Sequence, residues 1–140
     1  FEPDLFGVFA RLVNEAASAT QDGYLLVLRT AAGTDQVEYY RTDNNVSTQL
    51  GADELQEFSA GDALGLEITG SSLQAYYKAS GGSWAALGSG RSDATYSAAG
   101  KIAIFVTGNI FRLDDFGGGT IGGMTLLGSV ASRLGQVYQG

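Results

Sequence analysis

The stretch that most constrains this chain runs from Leu64 to Lys78. Leu64, Leu66 and Ile68 alternate with Gly65, Glu67 and Thr69; Gly70-Ser71-Ser72 follows; then Leu73, Ala75 and Tyr77 alternate with Gln74, Tyr76 and Lys78. A period of two sends successive side chains to opposite faces of an extended chain, whereas a helix needs a period near 3.6. Two such runs across a Gly/Ser turn predict a β-hairpin with one apolar face.

The same grammar recurs along the chain. Leu5 to Val13 places Phe6, Val8, Ala10 and Leu12 on one side. Its Arg, Leu and Ala would also suit a helix, and the strand-rich context decides for a strand. Gly23 to Thr30 is a nearly continuous apolar run, as expected of a strand buried on both faces. Gln36 to Thr42 alternates Val37, Tyr39 and Arg41 against Glu38, Tyr40 and Thr42, and Asp43-Asn44-Asn45 then turns the chain into a short strand, Val46 to Gly51. Asp53 to Ala60 is polar and acidic. Trp84 to Leu87 is a candidate short strand, Gly88 to Gly100 a longer polar loop, Lys101 to Thr107 a strongly β-forming strand, and Ile110 to Phe116 the last convincing one. The 21 glycines against a single proline fit many short strands joined by tight turns. Seven or more strands at this spacing predict an all-β, two-sheet antiparallel jelly-roll sandwich.

The tail is different in kind. After Gly117-Gly118-Gly119 and Gly122-Gly123, Leu127, Val130, Leu134 and Val137 recur at helix-like spacing, Gly128 and Gly135 interrupt them, and Arg133 is the one charge after Gly117. The reading is a sandwich over 1–121 and a Gly-rich, weakly helical or extended tail over 122–140. So apolar and uncharged a tail is expected to pack on the domain or on a protein partner, self-assembly included. The first residue is Phe1, so a processed chain, or part of a longer one, is expected.

Composition removes several chemistries. With 140 residues the chain has the size of one domain, able to bury roughly 68–70% of its unfolded surface without covalent staples. It has neither cysteine nor histidine, so disulfides, thiolate or histidine zinc sites and serine-histidine catalysis are out of reach. A formal charge of −7, without any basic run, argues against nucleic acid. No run of about 18 apolar residues exists to span a membrane as a helix.

The order of the pieces from Gly61 to Ile121 resembles the C-terminal half of concanavalin A-like lectin/glucanase domains, including laminin-G-like modules. The pieces are the Gly61-Asp62 turn, the alternating hairpin, a polar loop carrying Asp93 to Tyr96, the Gly-led strand Gly100 to Thr107, and a strand ending Leu113-Asp114-Asp115-Phe116. Upstream, the segment from Tyr39 to Gly51 resembles the preceding hairpin of the same modules, so the likeness spans roughly Leu5 to Ile121. The resemblance implies a sugar-binding or adhesion unit on an extracellular or virion surface. It also implies an N-terminal strand for which Phe1 to Asp4 leave no room, to be missing or supplied by another molecule. The acidic Glu-x-Asp-x-x-Glu-like cluster of the glucanase members has no counterpart here, so their activity is not carried over.

Candidate sites follow. Asp114 and Asp115 could offer oxygen ligands to calcium beside the last strand. Adjacent strand residues point apart, however, so the plainer alternative is that Asp115 caps the strand or pairs with Arg112 or Arg11. The same divergence denies Asp114 and Asp115 the facing geometry of a glycosidase pair, and Glu38 with Glu67 is the only other pairing to consider. Tyr40, Tyr76 and Trp84 could stack on sugar rings while Arg29, Gln74 and Asn45 bond hydroxyls. The plainer alternative is that one tyrosine of each adjacent pair is core and the other covers a sheet face. Gly117-Gly118-Gly119 lacks the lysine and Ser/Thr of a phosphate loop and reads as an exit from the sandwich. The expected function is a non-catalytic, lectin-like glycan-binding or adhesion module. The alternative is a structural component of a virion, such as a capsid decoration or tail protein, or of an extracellular filament.

Overall fold

A computed structural model describes residues 5–14, 20–107, 116–121 and 124–127. Among the described residues the chain is all-β, with twelve strands and no helix. They are β1 (Leu5–Val13), β2 (Asp22–Arg29), β3 (Gln36–Asp43), β4 (Val46–Gln49), β5 (Glu54–Leu55), β6 (Ala63–Thr69), β7 (Ser72–Lys78), β8 (Ala85–Ala86), β9 (Arg91–Ser92), β10 (Lys101–Thr107), β11 (Gly118–Ile121) and β12 (Met124–Leu127). They form two six-stranded sheets. Sheet A has the order β10-β1-β2-β3-β4, with β5 also on β3; sheet B has the order β11-β12-β6-β7-β8, with β9 also on β7. The pairings are antiparallel, from the outermost to the central.

Pleating turns the sequence alternation into a sandwich. Phe6, Val8, Ala10, Tyr24, Leu26, Leu28, Val37 and Tyr39 of sheet A pack with Leu64, Leu66, Ile68, Leu73 and Ala75 of sheet B, and Leu87 joins them. Full burial of each large side chain contributes about 1.5–3 kcal/mol, so this shared layer holds the sheets together. β2 is buried along both faces, as its unbroken apolar run implies. Its other face carries Leu25 and Val27, which join Phe9 and Leu12 in a second apolar cluster on the outer side of sheet A.

The strand expected over Leu5 to Val13 forms with those limits, but not with the expected facing. Leu12 lies with Phe9 in the outer cluster rather than with Ala10 in the core. Arg11 adopts φ 51°, and the register shifts there against both β2 and β10. This is a β-bulge: one additional residue flips every side chain after it. The Arg11 guanidinium closes the bulge by donating to the carbonyls of Gly70 at 2.7 Å and Tyr96 at 2.6 Å.

Two short strands fall where no strand was expected, β5 in the polar, acidic segment and β9 in the polar loop. Gly118, read as part of a flexible exit, lies in β11 opposite Leu127. Of the helix-spaced tail residues only Leu127 is among those described, and it belongs to β12, opposite Leu66. Residues 110–115 of the expected last strand lie outside the described residues.

Candidate functional site

The pleat of β3 decides which of its two tyrosines is available. Val37 and Tyr39 enter the core, while Glu38 and Tyr40 face outward from sheet A. Glu38 lies opposite Val27 and Tyr40 opposite Leu25, so Arg29, two residues beyond Val27, is the diagonal neighbour of Glu38. Arg29 donates from Nε to Glu38 Oε1 at 2.8 Å and from NH2 to Oε2 at 3.1 Å. The Tyr40 hydroxyl donates to Oε2 at 2.8 Å. Glu38 is only 5% exposed, so this fork sits at the bottom of the cluster rather than on its rim. Two residues chosen from the sequence, Arg29 and Tyr40, are therefore joined by a third, Glu38, that sequence reasoning had considered only as half of a catalytic pair.

The floor beside this group is apolar. Leu5, Gly7 and Phe9 of β1 lie opposite Arg29, Val27 and Leu25, and on the other side opposite Thr107, Phe105 and Ala103. The Phe105 ring occupies the space above Gly7: a Cβ at Gly7 would lie 2.0 Å from Phe105 Cε1. Phe9 and Phe105 meet with ring centroids 6.1 Å apart. The outer face of sheet A thus sets a half-exposed arginine and a half-buried phenol over one buried carboxylate, on a floor whose Phe9, Leu25 and Val27 are themselves buried.

The electrostatics hold this group in one state at neutral pH. Burial pushes the Glu38 carboxyl upward, but the hydrogen bonds from Arg29 and Tyr40 outweigh it and hold it below the usual range. Burial, then the bond to Glu38, pushes the Tyr40 phenol up. The bond to Glu38 raises Arg29 further.

Tyr76 and Trp84 lie elsewhere. Tyr76 pairs with Gly65 and Ala86 and points away from the core that takes Leu73, Ala75 and Tyr77. Trp84, two residues before Ala86, is 41% exposed. The four sequence-chosen ligand residues are thus split: Arg29 and Tyr40 share the outer face of sheet A, and Tyr76 and Trp84 belong to sheet B and its β8 edge. Glu38 and Glu67 face away from each other on opposite sides of the sandwich, so no glycosidase pair forms from them. Gln74 spends its amide on the carbonyls of Ala75 and Leu87, at 2.8 and 3.1 Å. Asn45 accepts from the Gln21 amide at 2.9 Å, which fixes the β3–β4 turn.

The Asp93 to Tyr96 segment is an internal clasp. Asp93 accepts from the Thr95 amide at 2.9 Å, from the Tyr24 hydroxyl at 2.8 Å and from Arg41 at 3.0 Å. Burial pushes its carboxyl up, yet these bonds prevail and hold it at about 2. The Tyr96 hydroxyl accompanies it, donating to Asp43 and to the Thr42 carbonyl. Arg91 does similar work nearby, donating to the Leu50 carbonyl at 2.7 Å, pairing with Glu54 at 2.9 Å and covering the Tyr39 ring at 4.9 Å. These groups satisfy one another and leave little for a ligand.

Asp114 and Asp115, the expected calcium ligands, lie outside the described residues. Among the described residues no group of three or more acidic side chains is placed to hold a metal ion. No described helix is long and apolar enough to cross a membrane. No family model, no curated protein and no solved structure matches the chain.

Proposed function

We propose that this chain is a non-catalytic, lectin-like binding module of jelly-roll type, working on an extracellular or particle surface, and that it binds glycans on the outer face of sheet A. The observation that carries the reading is the meeting of Arg29 and Tyr40 over buried Glu38, beside the apolar floor of Phe9, Leu25 and Val27. A sugar offers its C–H faces to the half-buried Tyr40 ring and its hydroxyls to such polar groups. The resemblance to concanavalin A-like modules points the same way. A glycan array tests it with three proteins. Binding by the unaltered chain should vanish in Tyr40→Ala and persist in Tyr76→Ala. Loss only in Tyr76→Ala would move the site to sheet B, and silence of the unaltered chain on every glycan would refute the proposal.

A structural role in a virion or filament is the second reading, favoured by the apolar, nearly uncharged tail. Because β12 pairs with β6, the informative truncation removes 128–140 and spares Met124–Leu127. Assembly in solution by the full chain, lost on that truncation with no change in melting temperature, would favour this reading. Two monomers of equal stability would dismiss it.

A further inference from the structure

We infer that Glu38 sets the class of ligand accepted by the outer face of sheet A: by cancelling the charge of Arg29 from beneath, it selects uncharged, hydroxyl-bearing ligands and rejects anionic ones. The inference rests on the reading of this face as the binding face and deepens it.

The geometry supplies the reason. Arg29 spends one edge of its guanidinium, Nε and NH2, on the two oxygens of Glu38. The guanidinium also bonds the Tyr40 hydroxyl, and its side chain is 33% exposed, so it remains open to an incoming group. A fork held bidentately by a buried carboxylate is rigid, which favours directional bonding. It is also neutral as a pair. A carboxylate, sulfate or phosphate arriving at the guanidinium would share one cation with Glu38, at a place where water screens poorly. The net charge of −7 on the chain adds to that repulsion. A hydroxyl meets no such opposition. Tyr40 completes the selection: its hydroxyl is committed to Glu38 and Arg29, which leaves its ring as the surface a ligand meets. Glu38 itself touches no ligand in this scheme; it is a positioning residue, acting through Arg29 and Tyr40.

The variant that reads this role is Glu38→Gln, nearly isosteric and still able to accept from Tyr40. The probes are neutral glycans arrayed with their uronic-acid and sulfated counterparts, and glucuronate titrated against the Arg29 Nε–H resonance. The unaltered chain should bind the neutral member of each pair, and in Glu38→Gln the acidic-to-neutral ratio should rise by about tenfold or more, the worth of one bond to an uncompensated charge. Glu38→Asp, which restores the charge, should return the ratio toward that of the unaltered chain. An unaltered chain that binds acidic members equally well, or a folded Glu38→Gln with an unchanged ratio, overturns the inference. The first of these outcomes is decisive even if Glu38→Gln does not fold. If the unaltered chain binds no glycan, the binding-face reading fails by itself, and the titration still judges Glu38. A glucuronate-dependent shift of Arg29 Nε–H in Glu38→Gln alone supports the charge cancellation, and a shift in both proteins or in neither refutes it.

Discussion

At the scale of single residues, a buried amide held by one side chain and a glycine pressed against a ring are the points where small changes tell most. The Tyr39 hydroxyl crosses the sandwich to accept from the Ala75 amide at 2.7 Å. Ala75 falls in the gap on β7 between β8 and β9, so no strand is there to accept from it. Tyr39→Phe keeps the ring and orphans that amide. It should cost about 1–3 kcal/mol in urea unfolding, and a change near zero would show that water takes over the bond. Gly7→Ala should destabilise by about 1–3 kcal/mol through displacement of the Phe105 ring. Combining it with Phe105→Ala should be less harmful than the sum of the two, which a double-mutant cycle measures directly.

At the scale of elements, the bulge in β1 sets a backbone strain against side-chain bonding. Arg11 at φ 51° is in a region costly for any residue but glycine, of order 1–2 kcal/mol. Its guanidinium makes two bonds to carbonyls of other segments, Gly70 and Tyr96, each worth roughly 1.5–3 kcal/mol when a charged donor is involved. Arg11→Gly eases the backbone but loses both bonds, so a net fall in stability is expected; a rise in urea midpoint would mean that the strain dominates. The limits of β1, β6, β7 and β10 were legible because alternation and turn residues are local signals. The bulge was not, since arginine is no marker of positive φ. β5 and β9 were not either, for two-residue strands are fixed by the free edges of β3 and β7 rather than by their own sequence. The candidate site was half legible: Arg29 and Tyr40 stood out by chemistry, whereas Glu38 became meaningful only when register placed it diagonal to Arg29.

At the scale of the whole molecule, several carboxylates are held below their ordinary values, which determines how the chain meets acid. Asp93 is held at about 2, and Asp43, Asp62 and Glu38 are lowered as well. A carboxylate whose folded value lies below its unfolded value of roughly 4 stabilises the fold above that pH, and the stabilisation disappears as pH falls through the folded value. Stability should therefore be flat near neutrality and decline from about pH 4 towards pH 2. Asp93→Asn should be less stable at pH 7 and lose less of its stability on acidification, as urea midpoints across that range would show. A parallel decline in both proteins would remove Asp93 from the cause.

The split rims of the two sheets have a consequence for proteostasis. Beyond β3 the described chain offers the four residues of β4 and the two of β5, and beyond β7 the two of β8 and the two of β9. A fibril grows by adding strands to a long, uninterrupted template, and on these two sides the chain presents only fragments. A sequence this rich in β-forming residues can thus be kept at high local concentration without its sheets polymerising through these rims.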